Sequence, residues 1–391
     1  MKTSIRKITS YIKRGITPVY TDDCLNSIVV LNQKCNRDYR ISFDDARLHD
    51  IKKKKISPEK YLQSYDVIIN ATGVGTAGRV AQIGLVNDKV TTDSHMLVLR
   101  CNDCIDKSYY GWLLKSLQGR IEMFAEGSTG QTEMNKDLIL DIEFDLPSFE
   151  NQIKISNLLN SIDSRISLNE EINDNLQQQA SSIFRNYLIK FDNIPAGWEI
   201  GSLDSIADYI NGLAMQKYPP KNNEVGLPVL KISELKQGFC DSNSDRCTSD
   251  LKSDYIINNG DVIFSWSASL VVDIWAGGKA GLNQHLFNVK SKKYDKWFYY
   301  WWTKYYLNEF IHEALAKATT MGHIKRDSLS KAKVLIPSDS DYKSIANILE
   351  PLTDSIIKIK LENQRLSELR DALLPKLMSG EIDVSNIKLD L

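Results

Sequence analysis

The chain has 391 residues, of which 42% are hydrophobic and 25% charged, so we expect a globular protein of two or three domains. Its formal net charge of −1 argues against a protein that holds DNA by bulk positive charge alone, although it leaves room for a local basic surface within a larger assembly. There is no run of about 18 apolar residues and no secretory signal, and the six cysteines are scattered, so we expect a cytoplasmic protein with reduced thiols and no membrane association.

Internal matches in one order indicate a tandem repeat. Residues 106–115 align without a gap with residues 295–304, keeping Asp, Lys, Tyr, Trp and Lys at the same places. The other matches are residues 66–69 with 261–264, His95 with His285, residues 129–138 with 320–329, and Ile8, Tyr11 and Ile12 with Ile206, Tyr209 and Ile210. The spacing between matched segments drifts, which is typical of loops that vary on a shared scaffold.

The predicted elements recur in each half. Short strands are predicted at 66–70, 261–265 and 334–336, and aromatic-rich helices near 106–124 and 295–316. The aromatic cluster 297–302 lies on such a helix, so core packing and a partner surface are favoured over base stacking.

Each half then ends in a long helix whose apolar residues follow three- and four-residue steps. The first seam comprises Ile155, Leu159, Ile162, Ile166, Asn169, Asn173, Leu176, Ile183 and Tyr187, and the second comprises Ile345, Leu349, Leu352, Ile356, Ile359, Asn363, Leu366, Leu373 and Leu377. The pattern favours a paired coiled coil over ordinary amphipathic helices.

Breaks in these helices follow from Pro and Gly. Pro195 and Gly197 end the first long helix within residues 191–198, Pro351 is expected to start or kink the second, and Gly380 to stop it. The predicted fold class is therefore α+β, with two globular domains separated by two long coiled-coil-like helices. The predicted domains are residues 1–148, 149–192, 193–338 and 339–391.

Three motifs in this order carry a resemblance to a known family. They are residues 194–199 (Ile-Pro-Ala-Gly-Trp-Glu), the segment from Gly-Ser-Thr at 127–129 through Leu-Pro at 146–147 to Glu-Asn-Gln at 150–152, and residues 373–382 (Leu-Leu-Pro-Lys-Leu-Met-Ser-Gly-Glu-Ile). Over essentially its whole length the chain resembles the specificity subunits of type I restriction–modification complexes, the HsdS family. The second half departs from the pattern at 318–320 (Ala-Thr-Thr) and 338–343, which weakens residue-level transfer there.

The resemblance implies a non-catalytic DNA-recognition subunit. Residues 1–148 and 193–338 are then target-recognition domains that each read one half of a split site on double-stranded DNA. The two long helices pack antiparallel, set the gap between the half-sites, and dock two modification (methyltransferase) subunits and, through the complex, two restriction subunits where these exist. No cofactor is expected in this chain; S-adenosylmethionine belongs to the methyltransferase, and ATP and Mg to the restriction subunit.

A glycine-rich run at 73–78 matches G-x-G-x-x-G after a predicted strand, which at face value indicates a dinucleotide site. That site requires a helix next, whereas residues 79–86 are β-branched and interrupted by Gly84. We therefore interpret the run as a tight turn between strands that presents Thr72, Thr76 and Arg79 to DNA.

Other candidate DNA contacts are polar or basic residues on loops, because amide, hydroxyl and cationic side chains read base edges or hold phosphates. They are Ser128, Thr129, Gln131, Thr132, Asn135 and Lys136 in the first half, and Lys317, Thr319, Thr320, His323, Lys325 and Arg326 in the second. The alternative is a solvated turn before a strand. His95 and His285 fit either a packed core or a contact, and the run Lys52–Lys55 fits a solvated face better than a phosphate site.

Signals of catalysis are weak. The sequence lacks a G-x-x-x-x-G-K-[ST] phosphate loop, an amino-methyltransferase motif and a nuclease constellation. Cys101 and Cys104 form a lone C-x-x-C, for which idle thiols are favoured over zinc. Two other functions stay open: a coiled-coil scaffold for protein partners without sequence readout, and a methyltransferase or nucleotide-dependent enzyme.

Overall fold

The computed structural model describes residues 2–73, 75–124, 134–190, 193–221, 224–316 and 322–385. Contacts divide the chain into two units, residues 1–163 with 369–391 and residues 164–368. Both units mix strands and helices, as the predicted α+β class requires. The four-part division predicted from the sequence stays a prediction.

The first unit contains most of the short elements of the first half. Its strands are β1 (Lys2–Ser4), β2 (Thr9–Arg14), β3 (Tyr20–Thr21), β4 (Ser27–Leu31), β5 (Asn36–Arg37), β6 (Arg40–Ile41), β7 (Arg47–Asp50), β8 (Val67–Asn70), β9 (Val80–Gln82), β10 (Val90–Thr92), β11 (Met96–Cys101) and β12 (Glu143–Asp145). Its helices are α1 (Ile5–Ile8), α2 (Lys107–Ser116), α3 (Gln118–Met123), α4 (Lys136–Leu140) and the first part of α5 (Phe149–Leu188). The predicted strand at 66–70 and aromatic helix near 106–124 are thereby confirmed.

A four-stranded antiparallel sheet of order β2-β11-β8-β9 organises this unit. Because side chains alternate across a strand, Val67 and Ile69 pack on the helix side, with Tyr109 and Tyr110 of α2. Ile68 packs on the opposite face, with residues of β4, β10 and β11. A second sheet, β10-β4-β7-β3, contains the parallel pair β4·β10.

The second unit repeats these elements. Its strands are β13 (Glu199–Ser202), β14 (Asp208–Asn211), β15 (Leu227–Leu230), β16 (Arg246–Cys247), β17 (Ile256–Ile257), β18 (Val262–Ser265), β19 (Val271–Ile274), β20 (Ala280–Leu282), β21 (Leu286–Lys290) and β22 (Lys333–Ile336). Its helices are α6 (Leu203–Ile206), α7 (Ile232–Gln237), α8 (Lys296–Ala316), α9 (Arg326–Lys331) and most of α10 (Asp339–Ser379). Short 3₁₀ turns lie at Gln33–Cys35 and Pro58–Lys60 in the first unit and at Met215–Lys217 and Ser253–Tyr255 in the second.

The main sheet of the second unit, β14-β21-β18-β19, has the same order and direction as that of the first. The parallel pair recurs as β15·β20. Val262 and Phe264 face the aromatic helix, while Ile263 faces the other way, again by strand alternation. The tandem repeat is therefore present in the tertiary structure.

Two of the sequence matches are shifted by one residue. In β2 the register moves between Arg100 and Cys101, and Ser10 is left without a partner in the ladder, so Ile12, not Tyr11, corresponds to Tyr209. A bulge of one residue is invisible to a gapless alignment.

The match of residues 129–138 with 320–329 is also wrong by one residue at its described end. Leu138 is 46% exposed, whereas Ile139 and Leu329 are fully buried. Equivalent hydrogen bonds, from Ile5 N–H to Ile142 O (3.0 Å) and from Leu203 N–H to Ala332 O (3.1 Å), pair Ile139 with Leu329.

The predicted helical seam holds for its first part. Ile155, Leu159, Ile162 and Ile166 are buried, but Tyr187 is 46% exposed and the prediction for it is wrong. Beyond Leu176 the buried positions are instead Ala180, Phe184 and Leu188, which pack with α8 of the second unit. Within that unit Asn169 Nδ2 donates to Asn363 Oδ1 at 2.8 Å, so two of the three polar residues of the predicted seams pair with each other.

Helix α10 begins at Asp339, where the predicted segment 339–391 begins, and it continues through Pro351. Of the two roles predicted for Pro351, a helix start is therefore excluded, and a kink stays a prediction. Ser355 Oγ donates to the Pro351 carbonyl at 2.7 Å. Helix α10 ends at Ser379, and Gly380 follows with φ +76°, the left-handed conformation of a helix stop.

Core packing of the aromatic cluster is confirmed. Every residue from Trp297 to Trp302 is at most 7% exposed, and rings within the cluster meet edge to face. Across the described ranges, no helix combines the length and apolarity needed to cross a bilayer.

Candidate DNA interface

The turn joining β8 to β9 carries the glycine-rich run. Gly73, Gly75 and Gly78 have φ angles of +101°, +71° and +91°, a conformation that glycine adopts readily. Gly78 N–H donates to Asn70 O at 2.8 Å and closes the turn. Strand β9 follows where a dinucleotide site needs a helix, so the interpretation as a turn between strands is confirmed.

A polar network sits at this end of the sheet. Gln33 Nε2 donates to Thr72 Oγ1 at 2.9 Å, and Thr72 Oγ1 lies 3.0 Å from His95 Nδ1. His95 is exposed, and its backbone N–H donates to Asp93 Oδ1. Burial raises the pKa of the Asp93 carboxyl, and the hydrogen bond from His95 N–H partly offsets that rise. The network presents amide, hydroxyl and imidazole groups, which can donate to and accept from base edges.

Thr76 and Arg79 belong to the turn itself and are half-buried. Arg79 Nη2 donates to Gly75 O at 3.2 Å, and Thr76 N–H donates to Gly73 O at the same distance. Because a guanidinium has five N–H donors, this single bond is compatible with a phosphate or guanine contact by Arg79.

The segment before α4 is attached to this turn. Met134 N–H donates to Ala71 O at 3.3 Å, which places Asn135 and Lys136 beside the turn. Asn135 Oδ1 accepts from Asp137 N–H at 2.9 Å and so caps α4. Lys136 is exposed. The structure brings these two predicted residues close to Thr72, and their contact with DNA stays a prediction.

Four cationic side chains line a surface groove beside this segment. Its lining, which we call the basic groove, is Ile12, Lys13, Arg14, Lys60, Leu97, Met134, Asn135, Lys136 and Asp137. Lys60 Nζ donates to Arg14 O at 2.5 Å. Burial lowers the pKa of Lys60, and the positive charge of Lys13 lowers it further. Sequence reasoning missed Lys13, Arg14 and Lys60; the adjacent Lys13 and Arg14 were the available signal, and the pairing with Lys60 is tertiary.

In the second unit the matching turn spans residues 266–270 between β18 and β19. Ile324 N–H donates to Trp266 O at 3.2 Å, and Ala268 N–H donates to Gly322 O at 3.0 Å. The segment before α9 is thus attached to the turn in the same way as the segment before α4 in the first unit.

The side chains at this second turn are aromatic. Trp266 Nε1 donates to Asn211 Oδ1 at 3.0 Å, and the Trp266 ring lies 6.0 Å from His285 and 6.3 Å from His323. We call Asn211, Trp266, His285 and His323 the aromatic site. Sequence reasoning selected His323 for this site, left His285 open, and missed Trp266 and Asn211.

Lys325 and Arg326 stand at the start of α9 and are exposed. Arg326 Nη2 donates to Tyr209 O at 3.3 Å, which fixes one edge of the guanidinium near the end of β14. By register these two residues correspond to Asn135 and Lys136.

The remaining predicted contacts lie outside the described residues. They are Ser128, Thr129, Gln131 and Thr132 in the first half and Lys317, Thr319 and Thr320 in the second. They follow α3 and α8 and precede the segments attached to the two turns, so the chain order connects them with both sites.

The lysine run behaves as a solvated face. Lys52 and Lys53 are exposed, and Lys53 Nζ lies 3.7 Å from Asp50 Oδ2. Lys54 Nζ donates to Thr17 O at 2.8 Å. These contacts tie the run to the end of β7 and to the segment between β2 and β3.

Cys101 is half-buried, and Cys104 is exposed; both are free thiols. Burial raises the pKa of Cys101, which disfavours the thiolate that binds metals. Among the residues that the structure describes, no three metal-ligating side chains converge.

Comparisons with known proteins agree with the repeat seen in the two units. The family model of the type I restriction modification DNA specificity domain matches residues 11–178 and again residues 195–370. The MjaIX specificity subunit of a type I restriction enzyme from Methanocaldococcus jannaschii is 24% identical over 334 residues, 79% of this chain and 76% of the relative. The HindI specificity subunit of Haemophilus influenzae is 19% identical over 442 residues, 92% of this chain and 94% of the relative.

Among solved structures, the S subunit of a type I restriction–modification system from M. genitalium covers 97% of this chain and 96% of its own. Its TM-score is 0.50 at 15% identity, which supports a shared fold. The two matched segments coincide with the repeat seen in the sheets. The chain belongs to the family of type I restriction modification DNA specificity domains and carries two copies of that domain in tandem.

Proposed function

We propose that this chain reads a bipartite double-stranded DNA site with a fixed gap, each domain copy recognising one half-site. One observation carries the proposal: the two units share a strand order, yet present different side chains at the same end of the main sheet. The first presents Gln33, Thr72 and His95, and the second presents Trp266 and two histidines. A shared scaffold with different reading groups suits two unlike half-sites.

We assign the base and phosphate contacts to these sheet ends. In the first domain the proposed contacts include Thr72, Thr76, Arg79, Asn135 and Lys136. In the second they are His323, Lys325 and Arg326. The other predicted contacts lie outside the described residues and are kept in the proposal; they are Ser128, Thr129, Gln131, Thr132, Lys317, Thr319 and Thr320.

The long helices are proposed to set the gap as an antiparallel, coiled-coil-like pair. A helix of 40 residues such as α5 is about 60 Å long at about 1.5 Å per residue. That length corresponds to about 18 base pairs at about 3.4 Å each. Removing one heptad from each helix would therefore shorten the gap by about three base pairs while both half-sites stay the same.

The same helices are proposed to dock two methyltransferase subunits. Leu168 and Ile172 are one helical turn apart on α5 and are 47% and 38% exposed, and Ile348 on α10 is 38% exposed. Apolar side chains exposed one turn apart suit a protein partner. Catalysis would then lie in the partners, with S-adenosylmethionine in the methyltransferase and ATP and Mg in a restriction subunit.

Methylome sequencing tests this proposal. A host expressing the chain with its methyltransferase should show a bipartite methylated motif that disappears when the chain is deleted. Replacing residues 1–148 with the first domain of another family member should change one half of the motif, and replacing residues 193–338 should change the other half.

The controls separate DNA reading from scaffolding. A chain-dependent complex with an active methyltransferase but without any motif would contradict the proposal and support a protein scaffold. A swap of residues 1–148 that altered both halves would contradict the assignment of one domain to each half-site.

A further inference from the structure

The β5–β6 hairpin of the first unit has an unusual two-residue turn. Its strands pair so that only Asp38 and Tyr39 form the turn. Both residues have a positive φ, +50° and +62°, which is the pattern of a type I′ turn and typically calls for Asn-Gly. A bulky residue is strained in this conformation, so the tyrosine indicates a constraint imposed by its surroundings.

The tip of this hairpin meets both long helices within the first unit. The guanidinium carbon of Arg370 on α10 lies 5.8 Å from the centre of the Tyr39 ring. Arg40 Nη2 lies 3.5 Å from Asp163 Oδ1 on α5, and Arg370 Nη1 donates to the same oxygen at 3.0 Å. One carboxylate therefore joins the hairpin to α5 and to α10.

This joint is partly shielded from water. Arg370 is 8% exposed, and Tyr39, Arg40 and Asp163 are half-buried. Burial raises the pKa of Asp163, but the positive charges of Lys115 and Arg40 and the hydrogen bond from Arg370 together lower it by more. The carboxylate therefore stays ionised, and salt screens such a partly buried contact less than an exposed one.

The base of the hairpin is anchored at the reading end of the main sheet. Asn36 is fully buried, and its Nδ2 donates to Arg79 O at 2.9 Å and to Asn70 Oδ1 at 3.2 Å. Asn70 and Arg79 flank the glycine-rich turn, which is closed by the bond from Gly78 N–H to Asn70 O. The hairpin thus connects the proposed reading turn with the two long helices.

The second unit has a different element at this point of the repeat. Helix α7 follows β15 where the hairpin follows β4, and it ends at Gly238. Residues 231–245, all of which the structure describes, contain no hairpin. The connection is therefore specific to the first domain copy.

We propose that the β5–β6 hairpin holds the first recognition domain at a fixed angle on α5 and α10, with Tyr39 and Arg40 as positioning residues that make the chain selective for gap length. The inference rests on the proposed reading of a bipartite site. One additional base pair moves the half-sites about 3.4 Å apart and turns them by about 34–36° relative to each other. A domain held at a fixed angle cannot follow that displacement, whereas a domain that tilts can.

Methylation of duplexes that differ only in the gap tests this role. The full-length chain in its methyltransferase complex is given both half-sites at the native gap, and with one base pair more or fewer. Tyr39→Gly/Arg40→Ala should lower the ratio of the rates on native and altered gaps by about 5- to 30-fold, which corresponds to about 1–2 kcal/mol. The sequences of both half-sites should stay the same.

Matched variants separate positioning from stability and from charge. Arg37→Ala removes the same charge from an exposed position opposite Arg40 in the hairpin and should leave the ratio unchanged. Tyr39→Gly alone relieves the strained φ, so urea unfolding should change little while the ratio still falls. If the double variant fails to fold, Tyr39→Gly alone decides the question.

An unchanged ratio in the folded Tyr39 variants, or an equal fall in Arg37→Ala, overturns the positioning role. The proposed function then still stands, provided that the unmodified chain prefers one gap. An unmodified chain that methylates all three gaps equally overturns the proposed fixed gap, and the positioning role with it.

Discussion

At corresponding ends of the two main sheets the backbone is arranged in the same way, but the side chains differ. In each unit the segment before a short helix holds a hairpin turn by an equivalent backbone hydrogen bond, from Met134 to Ala71 and from Ile324 to Trp266, and the second unit adds a bond from Ala268 to Gly322. Backbone groups make these bonds, so the side chains are free to differ. The first unit accordingly presents polar and cationic groups and the second an aromatic site. The comparison shows how one scaffold can be given two recognition surfaces without a change of fold.

The cores of the two units differ in a related way. Asp66, whose side chain is fully buried, forms a bidentate pair with Arg100, at 2.8 Å to Nε and 2.7 Å to Nη2. By register the matching pair is Asp261 and Lys290, and Asp261 is only half-buried. The first unit therefore depends on an ion pair at a position where the second does not bury its carboxylate.

The largest effect is expected from Arg100→Ala. It leaves the Asp66 carboxylate buried without its cation and should lower the free energy of unfolding by about 3–5 kcal/mol. Lys290→Ala, the matched change in the second unit, should cost less than about 1 kcal/mol. Urea unfolding of both variants measures the difference. Equal losses would contradict the comparison.

The stability of the Arg100→Ala variant should depend on pH in a defined direction. Burial raises the pKa of Asp66 and Arg100 opposes that shift, so removing Arg100 raises the pKa further. The folded variant then binds a proton more tightly than the unfolded chain, and its stability should increase as the pH falls through the raised pKa. A stability loss that does not shrink at lower pH would indicate lost packing rather than a buried charge.

Intermediate effects are expected at the reading groups. Thr72→Ala removes the hydroxyl between Gln33 and His95, and Trp266→Ala removes the centre of the aromatic site. Each should reduce discrimination in only its own half-site, by about 10- to 100-fold for about 1–3 kcal/mol. Methylation rates on duplexes with single base changes in either half measure this. A variant that affects both halves equally would argue against separate readers.

A pH-dependent effect on stability is expected at Lys115. It is buried near Asp163, with its Nζ 4.0 Å from the centre of the Trp112 ring, and burial lowers its pKa to about 8. Between about pH 8 and 10.5 the unfolded chain therefore holds a proton that the folded chain lacks, so stability rises with pH in that window. Lys115→Met should remove this rise, which is about 2–3 kcal/mol for a pKa lowered from 10.5 to about 8. Unfolding free energies of both proteins at pH 8 and 10 test it, and parallel curves would refute it.

The smallest effects on stability are expected in the two hairpin turns. Ala268 has φ +58° and is exposed, so Ala268→Gly should stabilise the protein by at most about 1 kcal/mol. Gly75 has φ +71° with open space around it, so Gly75→Ala should cost about 1 kcal/mol through backbone strain alone. The midpoint temperatures of thermal unfolding of the two variants should shift in opposite directions, and shifts of the same sign would contradict this account.

Much of the fold could be predicted from local patterns. Strands at 66–70 and 261–265, the aromatic helices, the stop at Gly380 and the repeat itself follow from periodicity, and the structure confirms them. The candidate site was predicted less well. The hairpin turn and the segment before α4 were found, whereas Lys60 and Trp266 were missed because neither lies in a conspicuous motif.

The sequence by itself determined the repeat and the order of its elements, because side-chain periodicity and turn residues act within a few positions along the chain. Only the tertiary structure decided the bulge at Ser10, the burial of Phe184 in place of Tyr187, and the meeting of Lys13 with Lys60. These depend on which surfaces face each other across long separations in sequence. Packing and local charge are set by those partners, which no single segment encodes.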